Sequence, residues 1–455
     1  MINQYLMVFL YVLSAYCVGF LSLYFIWQKD LKKVNLFIGL AKAWGLGNIF
    51  FLILFYSLSF LNKLDIINQK NFLIVAGIIF LVSILNLVKW LNKIKLNREN
   101  WIWLGLILIF LWPLIKHSLF SPLNAWDALG VWLIKAKPLF YSAGISQSGF
   151  FTNDFYHYTH LDYPLGLPLL AAAYYRMINF LNDQAIQFYL LQFYLCLNFI
   201  LIGKIAEKFN KSLFFVNKLL LSGIILMIPN FVIYSHNGYA DIPLSFYFAL
   251  SASILMEKLN FKNKAKDLSM LVLTGLAGAL IKIEGYPWII VVCLTTGLII
   301  WKRKIKLKQK IKLIIAGIAG ITPIFFWEIY KLNNQISNTF NKAIFDFNSI
   351  TKLKIIIHIY LNELINTNRY SLILIPIFLI YLTLTFKILI KKQMNYLLFH
   401  GLIIGQLTAY TIIYLISPFP LMWQLSSFER IALHLIPIII LLIIYNYSWL
   451  WPEKK

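Results

Sequence analysis

The sequence predicts an all-α polytopic membrane protein with about 13 transmembrane helices and two interfacial helices in its first long outer loop. Three observations predict it. The 455-residue chain is 60% hydrophobic and 13% charged, and its mean hydropathy of +0.75 leaves a soluble fold of this size without enough polar surface to cover it. Apolar runs of bilayer-crossing length recur from one end of the chain to the other. Short clusters of Lys and Arg fall in every second connection between those runs, the pattern of positive-inside topology.

About 20 apolar residues cross the hydrocarbon of a bilayer. Runs near 4–27, 34–61, 72–92 and 101–118 therefore predict the first four crossings. Nine more follow near 185–203, 213–234, 240–257, 268–284, 286–301, 312–330, 371–390, 396–416 and 431–449. The first run, "MINQYLMVFLYVLSAYCVGFLSLYFIW", has no basic residue ahead of it and is expected to be a retained helix, not a cleaved signal peptide. Thirteen crossings put the N-terminus outside and the C-terminus inside. The clusters "QKDLKK", "KWLNKIKLNREN", "GKIAEKFNK", "EKLNFKNKAKD", "WKRKIKLKQKIK", "KILIKK" and "EKK" then all face the cytoplasm, and they hold about 26 of the 41 Lys and Arg. Anionic lipid headgroups account for the net charge of +24, and no nucleic-acid partner is expected.

Two outer regions are long, 119–184 and 331–370. Within the first, "PLGLPLLAAAYYRMINF" (164–180) is nearly apolar enough to cross, but counting it would turn every later basic loop outward. It is read as a helix lying in or dipping into the outer interface. Residues 126–140 have the same character: Trp126, Leu129, Trp132, Leu133, Ala136 and Phe140 share one helical stripe, with Pro138 near its end. Cys17, Cys196 and Cys293 each lie inside an apolar run, so no disulfide framework or thiolate zinc site is readable. The 14 Trp and 26 Tyr read mostly as belts at the two membrane interfaces.

Only 17 residues are acidic. Asp127, Asp154, Asp162, Asp241, Glu284, Glu328 and Glu429 face outward or lie in apolar sequence, where a carboxylate costs roughly 2.5–3.5 kcal/mol to insert and usually faces a polar cavity. Asp127 in "SPLNAWDALG" directly follows a crossing. His160 and Asp162 in "HYTHLDYPLGLP" open the second interfacial helix, and His236 and Asp241 in "SHNGYADIPL" open a later crossing. Lys282 and Glu284 in "LIKIEGYPW" come to the same outer depth, as do Glu429 and Arg430 in "SSFERIALHLIP". Acids, imidazoles and cations converging at one depth read as a site. Each also has a structural alternative. Asp127, Asp162 and Asp241 suit helix starts, Lys282–Glu284 and Glu429–Arg430 could be ion pairs, and His160 and His236 could simply bond at the interface.

That arrangement resembles the GT-C membrane glycosyltransferases. The likeness rests on the outer-loop Asp127 after a crossing, the two interfacial helices, the Pro-led "DYPLGLPLL" and the Asp-led "YADIPLSFYFAL", with the Gly-rich "LTGLAGALIKIEGYPW" and the late "FERIALHLIP". It is nearest to the protein O-mannosyltransferase and aminoarabinose transferase group and covers roughly residues 101–450. It implies a catalytic module over 96–455, preceded by three extra helices in 1–95 with no assigned role. It also implies an inverting transfer of sugar from a polyprenyl-phosphate carrier to an acceptor hydroxyl of a glycan, lipid or protein on the outer face. Asp127 matches the first-loop carboxylate expected as general base, Asp162 an acid before the proline of the second interfacial helix, and Asp241 an acid that in some members helps hold a divalent metal. Two departures stand out. Ala128 follows Asp127 where the family often pairs two acids, and Tyr163 replaces a common Lys, so phosphate contact must come from elsewhere.

A phosphate leaves as a stable anion, so one base and a cradle of cations suffice, unlike glycosidases, which need a second carboxyl. Arg430, Lys282, Arg369 and Arg176 are the candidate phosphate contacts. A metal shared by Asp127, Asp241 and a histidine is chemically reasonable, but no ligand spacing demands it. The long outer region 331–370, ending in "NTNRYSL", is a candidate lid. Two other classes stay open: a multi-spanning transporter or flippase of lipid-linked sugar, expected to carry charges near mid-bilayer, and a polysaccharide polymerase or ligase. The Asn-, Ile- and Lys-rich composition leans towards a bacterial cytoplasmic membrane, with an endomembrane location as the alternative.

Overall fold

The computed structural model describes residues 2–27, 35–91, 98–209, 228–257, 264–302, 322–336, 349–370, 372–417 and 427–450, with the single residues 223 and 226. Every regular element among them is helical. Among the described residues, six helices are long and apolar enough to cross a bilayer: Gln4–Phe25, Leu36–Phe60, Trp101–Phe120, Asp183–Lys208, Leu398–Ile416 and Phe428–Leu450. Shorter apolar helices cover Gln69–Ile84, Ser269–Ile281, Gly285–Ile299 and Leu374–Ile390. Most of the crossing expected at 213–234, and the first part of that at 312–330, lie outside the described residues.

Glycine sets the closest helix pair. A Cβ on Gly19 would lie 1.7 Å from the Ala43 carbonyl oxygen, and one on Gly47 would lie 1.8 Å from that of Ala15. The backbones of Ile2–Trp27 and Leu36–Phe60 touch there, as small residues allow when no hydrophobic effect drives helices together. These N-terminal helices also hold the site's supports. The Tyr11 hydroxyl donates to the Leu170 carbonyl at 3.1 Å.

The helix Asp241–Glu257 runs through the middle of the molecule, apolar all round and buried along its whole length except its last residue. Its ends carry charge, roughly 24 Å apart at 1.5 Å per residue. At the Glu257 end, Lys42 pairs at 3.0 Å and Lys204 at 2.5 Å, and Lys204 also reaches Glu207 at 2.6 Å. Asp241 heads the other end, where the candidate residues lie.

Two segments differ from the reading of the sequence. The helix Gly166–Ile178, read from the sequence as lying in or dipping into the outer interface, is covered by protein on nearly every side; only Arg176 and Ile178 are partly exposed. Its small residues permit this: a Cβ on Gly166 would come within 2.4 Å of the Leu280 carbonyl oxygen. The region 331–370, expected as a loop, contains the helix Ser349–Leu364 and a short turn of helix, Thr367–Tyr370.

Candidate functional site

Asp127 does not act as the helix opener its position allowed. It has helical dihedrals, φ −64° and ψ −32°, and makes no side-chain capping bond. A π-helical turn follows immediately, Ala128–Leu133, a wide turn that is rare and often sits at functional positions. The Asp127 carboxylate instead accepts from the Arg430 guanidinium, 303 residues later. The guanidinium lies over the Tyr239 ring, 5.2 Å from its centroid. The loop carrying Tyr239 approaches through Gly238 at φ +79°, where a Cβ would meet the Ala128 side chain at 2.8 Å. Only glycine combines that left-handed backbone with that closeness.

Beside this pair lies a buried cluster. Lys282 donates to Asp241 Oδ1 at 2.8 Å and to Glu284 Oε1 at 2.9 Å. His434 Nε2 also meets Asp241 Oδ1, at 3.2 Å, while its Nδ1 lies 2.9 Å from the Tyr410 hydroxyl. A Tyr hydroxyl donating to Nδ1 leaves Nε2–H to donate to the carboxylate, so the network assigns a neutral imidazole. Arg430 and His434 are one turn apart on the same helix face, and Arg430 is within electrostatic reach of both Asp127 and Asp241.

Tyr163 sits where the charges meet. Burial pushes its hydroxyl well up, Glu284, Asp162 and Asp127 add to the shift, and Arg430 opposes it. Its ring stacks on His160 with centroids 4.7 Å apart. The fully buried Lys135, missed in the sequence, donates to the His160 carbonyl at 2.6 Å and lies 5.4 Å from the Tyr163 ring centroid. Burial pulls Lys135 down to about 7, with Asp162 working against it. The His160 imidazole is lowered by burial and by Lys135, with Asp162 and Asp127 opposing. His160 takes a left-handed backbone, φ 55°, and Leu165 N–H donates to the Tyr56 hydroxyl at 2.5 Å. The segment 160–165 is thus fixed from both sides. Asp162 is buried within it.

Asp127, Asp162, Asp241, Lys282, Glu284, Arg430 and His160 therefore form one neighbourhood. The others stand apart. Arg369 forks onto Glu363 and reaches Glu429 at 2.7 Å, and Tyr234 donates to Glu429 at 2.9 Å. Glu429 and Arg430, adjacent in sequence, thus serve different partners. His236 packs on the His117 ring, centroids 4.4 Å apart. Arg176 donates to the carbonyls of Leu139 and Ser142, at the end of the helix Ile134–Tyr141. Asp154 opens a short 3-10 helix, and Glu328 accepts from Tyr286 at 3.0 Å and from Lys331.

The two candidate metal ligands already have organic cations: Arg430 on Asp127 and Lys282 on Asp241. Among the described residues, no group of three or more His, Cys, Asp or Glu could hold a metal ion. The donor set does not fit a resident divalent ion without displacing those cations. The sequence reading missed both His434 and Lys135. His434 follows Arg430 at the i, i+4 spacing that puts two residues on one face, whereas nothing in the local pattern marks Lys135. Compared with family models, curated proteins and solved structures, the chain gives no match.

Proposed function

We propose that this chain is a GT-C-like membrane glycosyltransferase. It moves a sugar from a polyprenyl-phosphate carrier to an acceptor hydroxyl at the outer face of a multi-pass bundle of about 13 crossings. The observation that carries the reading is the Asp127–Arg430 pair, set beside Lys282, Asp241 and Glu284. A base and two cations in one neighbourhood are the parts this transfer requires.

In the resting protein Arg430 occupies the base. A lipid phosphate is likewise a bidentate partner for a guanidinium, so it competes for Arg430 and frees the Asp127 carboxylate. Asp127 then takes the acceptor's hydroxyl proton as the acceptor oxygen bonds to the anomeric carbon. The bond from that carbon to the phosphate oxygen breaks with its electron pair, and the configuration inverts. Polyprenyl phosphate leaves on Arg430 and Lys282, whose charge stabilises the oxygen as it becomes anionic. The buried, neutral His434 holds Asp241, and Asp241 holds Lys282, so the cation is positioned before substrate arrives.

The test is sugar transfer in membranes containing the full chain, from a radiolabelled polyprenyl-phosphate hexose, with Asp127→Asn and Asp127→Ala matched for expression. Loss of a general base lowers rate about 10²–10⁴-fold. Wild-type rates in both variants would remove Asp127 as the base.

A further inference from the structure

We propose that Arg369 is a positioning residue for Arg430 and not a phosphate contact; this rests on the transferase reading above. Arg430 is the third residue of the helix Phe428–Leu450, so its reach to Asp127 depends on where that helix starts and how its first turn is rotated. Both residues ahead of it are held by the segment 349–370. The Phe428 ring stacks on Tyr360, with centroids 4.2 Å apart and planes 19° from parallel. Glu429 Oε2 accepts from Arg369 Nε at 2.7 Å, and the Glu429 backbone carbonyl accepts from the Tyr370 hydroxyl at 2.8 Å.

The segment is anchored in turn. Arg369 Nη1 donates to both carboxylate oxygens of Glu363, at 3.0 and 2.8 Å, which ties the turn Thr367–Tyr370 to the helix Ser349–Leu364. The Tyr360 hydroxyl shares a hydrogen bond with Thr411 of the helix Gly401–Ile416 at 3.2 Å. On its other oxygen Glu429 accepts from Tyr234 at 2.9 Å. The Tyr234 ring packs edge-on against Tyr239, centroids 5.2 Å apart, and Tyr239 is the ring that carries the Arg430 guanidinium. Glu429 and Arg430 are therefore held as a unit from one side by Tyr234 and Tyr239, and Arg369 closes the other side.

Arg369 shares one positive charge between the carboxylates of Glu363 and Glu429, so the group as a whole is negative and disfavours a phosphate. Its planar fork is suited to fixing two acids at once, which the point charge of a lysine does not reproduce. Loosening that fork frees the first turn of the helix and shifts Arg430 without removing it.

The test measures binding of bare decaprenyl phosphate to the purified full chain in nanodiscs, in a cycle of Arg369→Gln and Arg430→Gln. Arg369→Gln should weaken binding about fivefold, within the coupling that members of one ion-pair network show. In the Arg430→Gln background, where Lys282 supplies the remaining affinity, the same change should cost less than about twofold. Arg369→Lys keeps the charge but not the fork, and should restore little of the loss. Tyr370→Phe removes a hydroxyl bond and no charge; it should weaken binding in the same direction, and only while Arg430 is present. The Arg369→Lys result decides by itself where Arg430→Gln binds too weakly to measure. No loss with Arg369→Gln, equal losses in both backgrounds, or full recovery with Arg369→Lys overturns the positioning role and leaves the transferase reading standing. No binding of bare phosphate by wild type overturns the transferase reading and the positioning role with it.

Discussion

Replacing Asp127 with Asn should improve binding of lipid phosphate while removing transfer. Arg430 now bonds Asp127, and the phosphate must compete for it. Both side chains are about a quarter exposed, Arg430 22% and Asp127 26%. At an effective dielectric near 20, two charges about 4 Å apart attract by about 4 kcal/mol. Desolvation offsets most of that, and partial exposure screens more, leaving about 1–2 kcal/mol net. A neutral Asn returns this margin to the phosphate, which corresponds to about 5- to 30-fold tighter binding. The assay is binding of tritiated polyprenyl phosphate to purified protein, read beside transfer rate. A merely structural Asp127 would lower both quantities on replacement. Weaker or unchanged phosphate binding in the Asn variant would refute the competition between carboxylate and phosphate.

Two more outcomes follow from the charge arrangement. Lys135, lowered to about 7 by burial, has an unfolded value near 10.4. The unfolded chain therefore binds more protons between about pH 7 and 10, and stability rises with pH across that window, with the full penalty present below it. Lys135→Met should flatten this rise in the unfolding midpoint in detergent; an unchanged slope would assign it to other groups. At the opposite end of the molecule, Glu257→Gln leaves the buried Lys204 with Glu207 as its one ion-pair partner among the described residues and removes the Glu257 pair of Lys42. It should cost about 3 kcal/mol of stability without changing transfer per folded molecule, as measured by thermal unfolding and single-turnover transfer.

The membrane helices were legible because length and apolarity suffice to find them. The runs read at 34–61 and 101–118 match Leu36–Phe60 and Arg98–Phe120 closely. The helix Ser349–Leu364 was missed because Lys352, Lys354 and Glu363 flank its apolar residues Ile355, Ile356, Ile357 and Leu361, and it is too short to cross. For the site, the convergence of these residues was readable and their partnership was not. Asp127, Asp241, Lys282 and Arg430 were expected together because each follows or begins an apolar run. It could not say that Arg430 turns to Asp127 while Glu429 turns to Arg369, because neighbours in a helix point about 100° apart and each faces a different wall. The same limit hid Lys135. Its role depends on a carbonyl 25 residues away that presents itself only because His160 is left-handed.

The most direct measurement is an electron cryomicroscopy structure of the full chain in a nanodisc containing polyprenyl phosphate. The account predicts the phosphate on Arg430 and Lys282, with the Arg430 guanidinium parted from Asp127 and that carboxylate open to an acceptor. A bound phosphate elsewhere on the protein, with the Asp127–Arg430 pair intact, would contradict it.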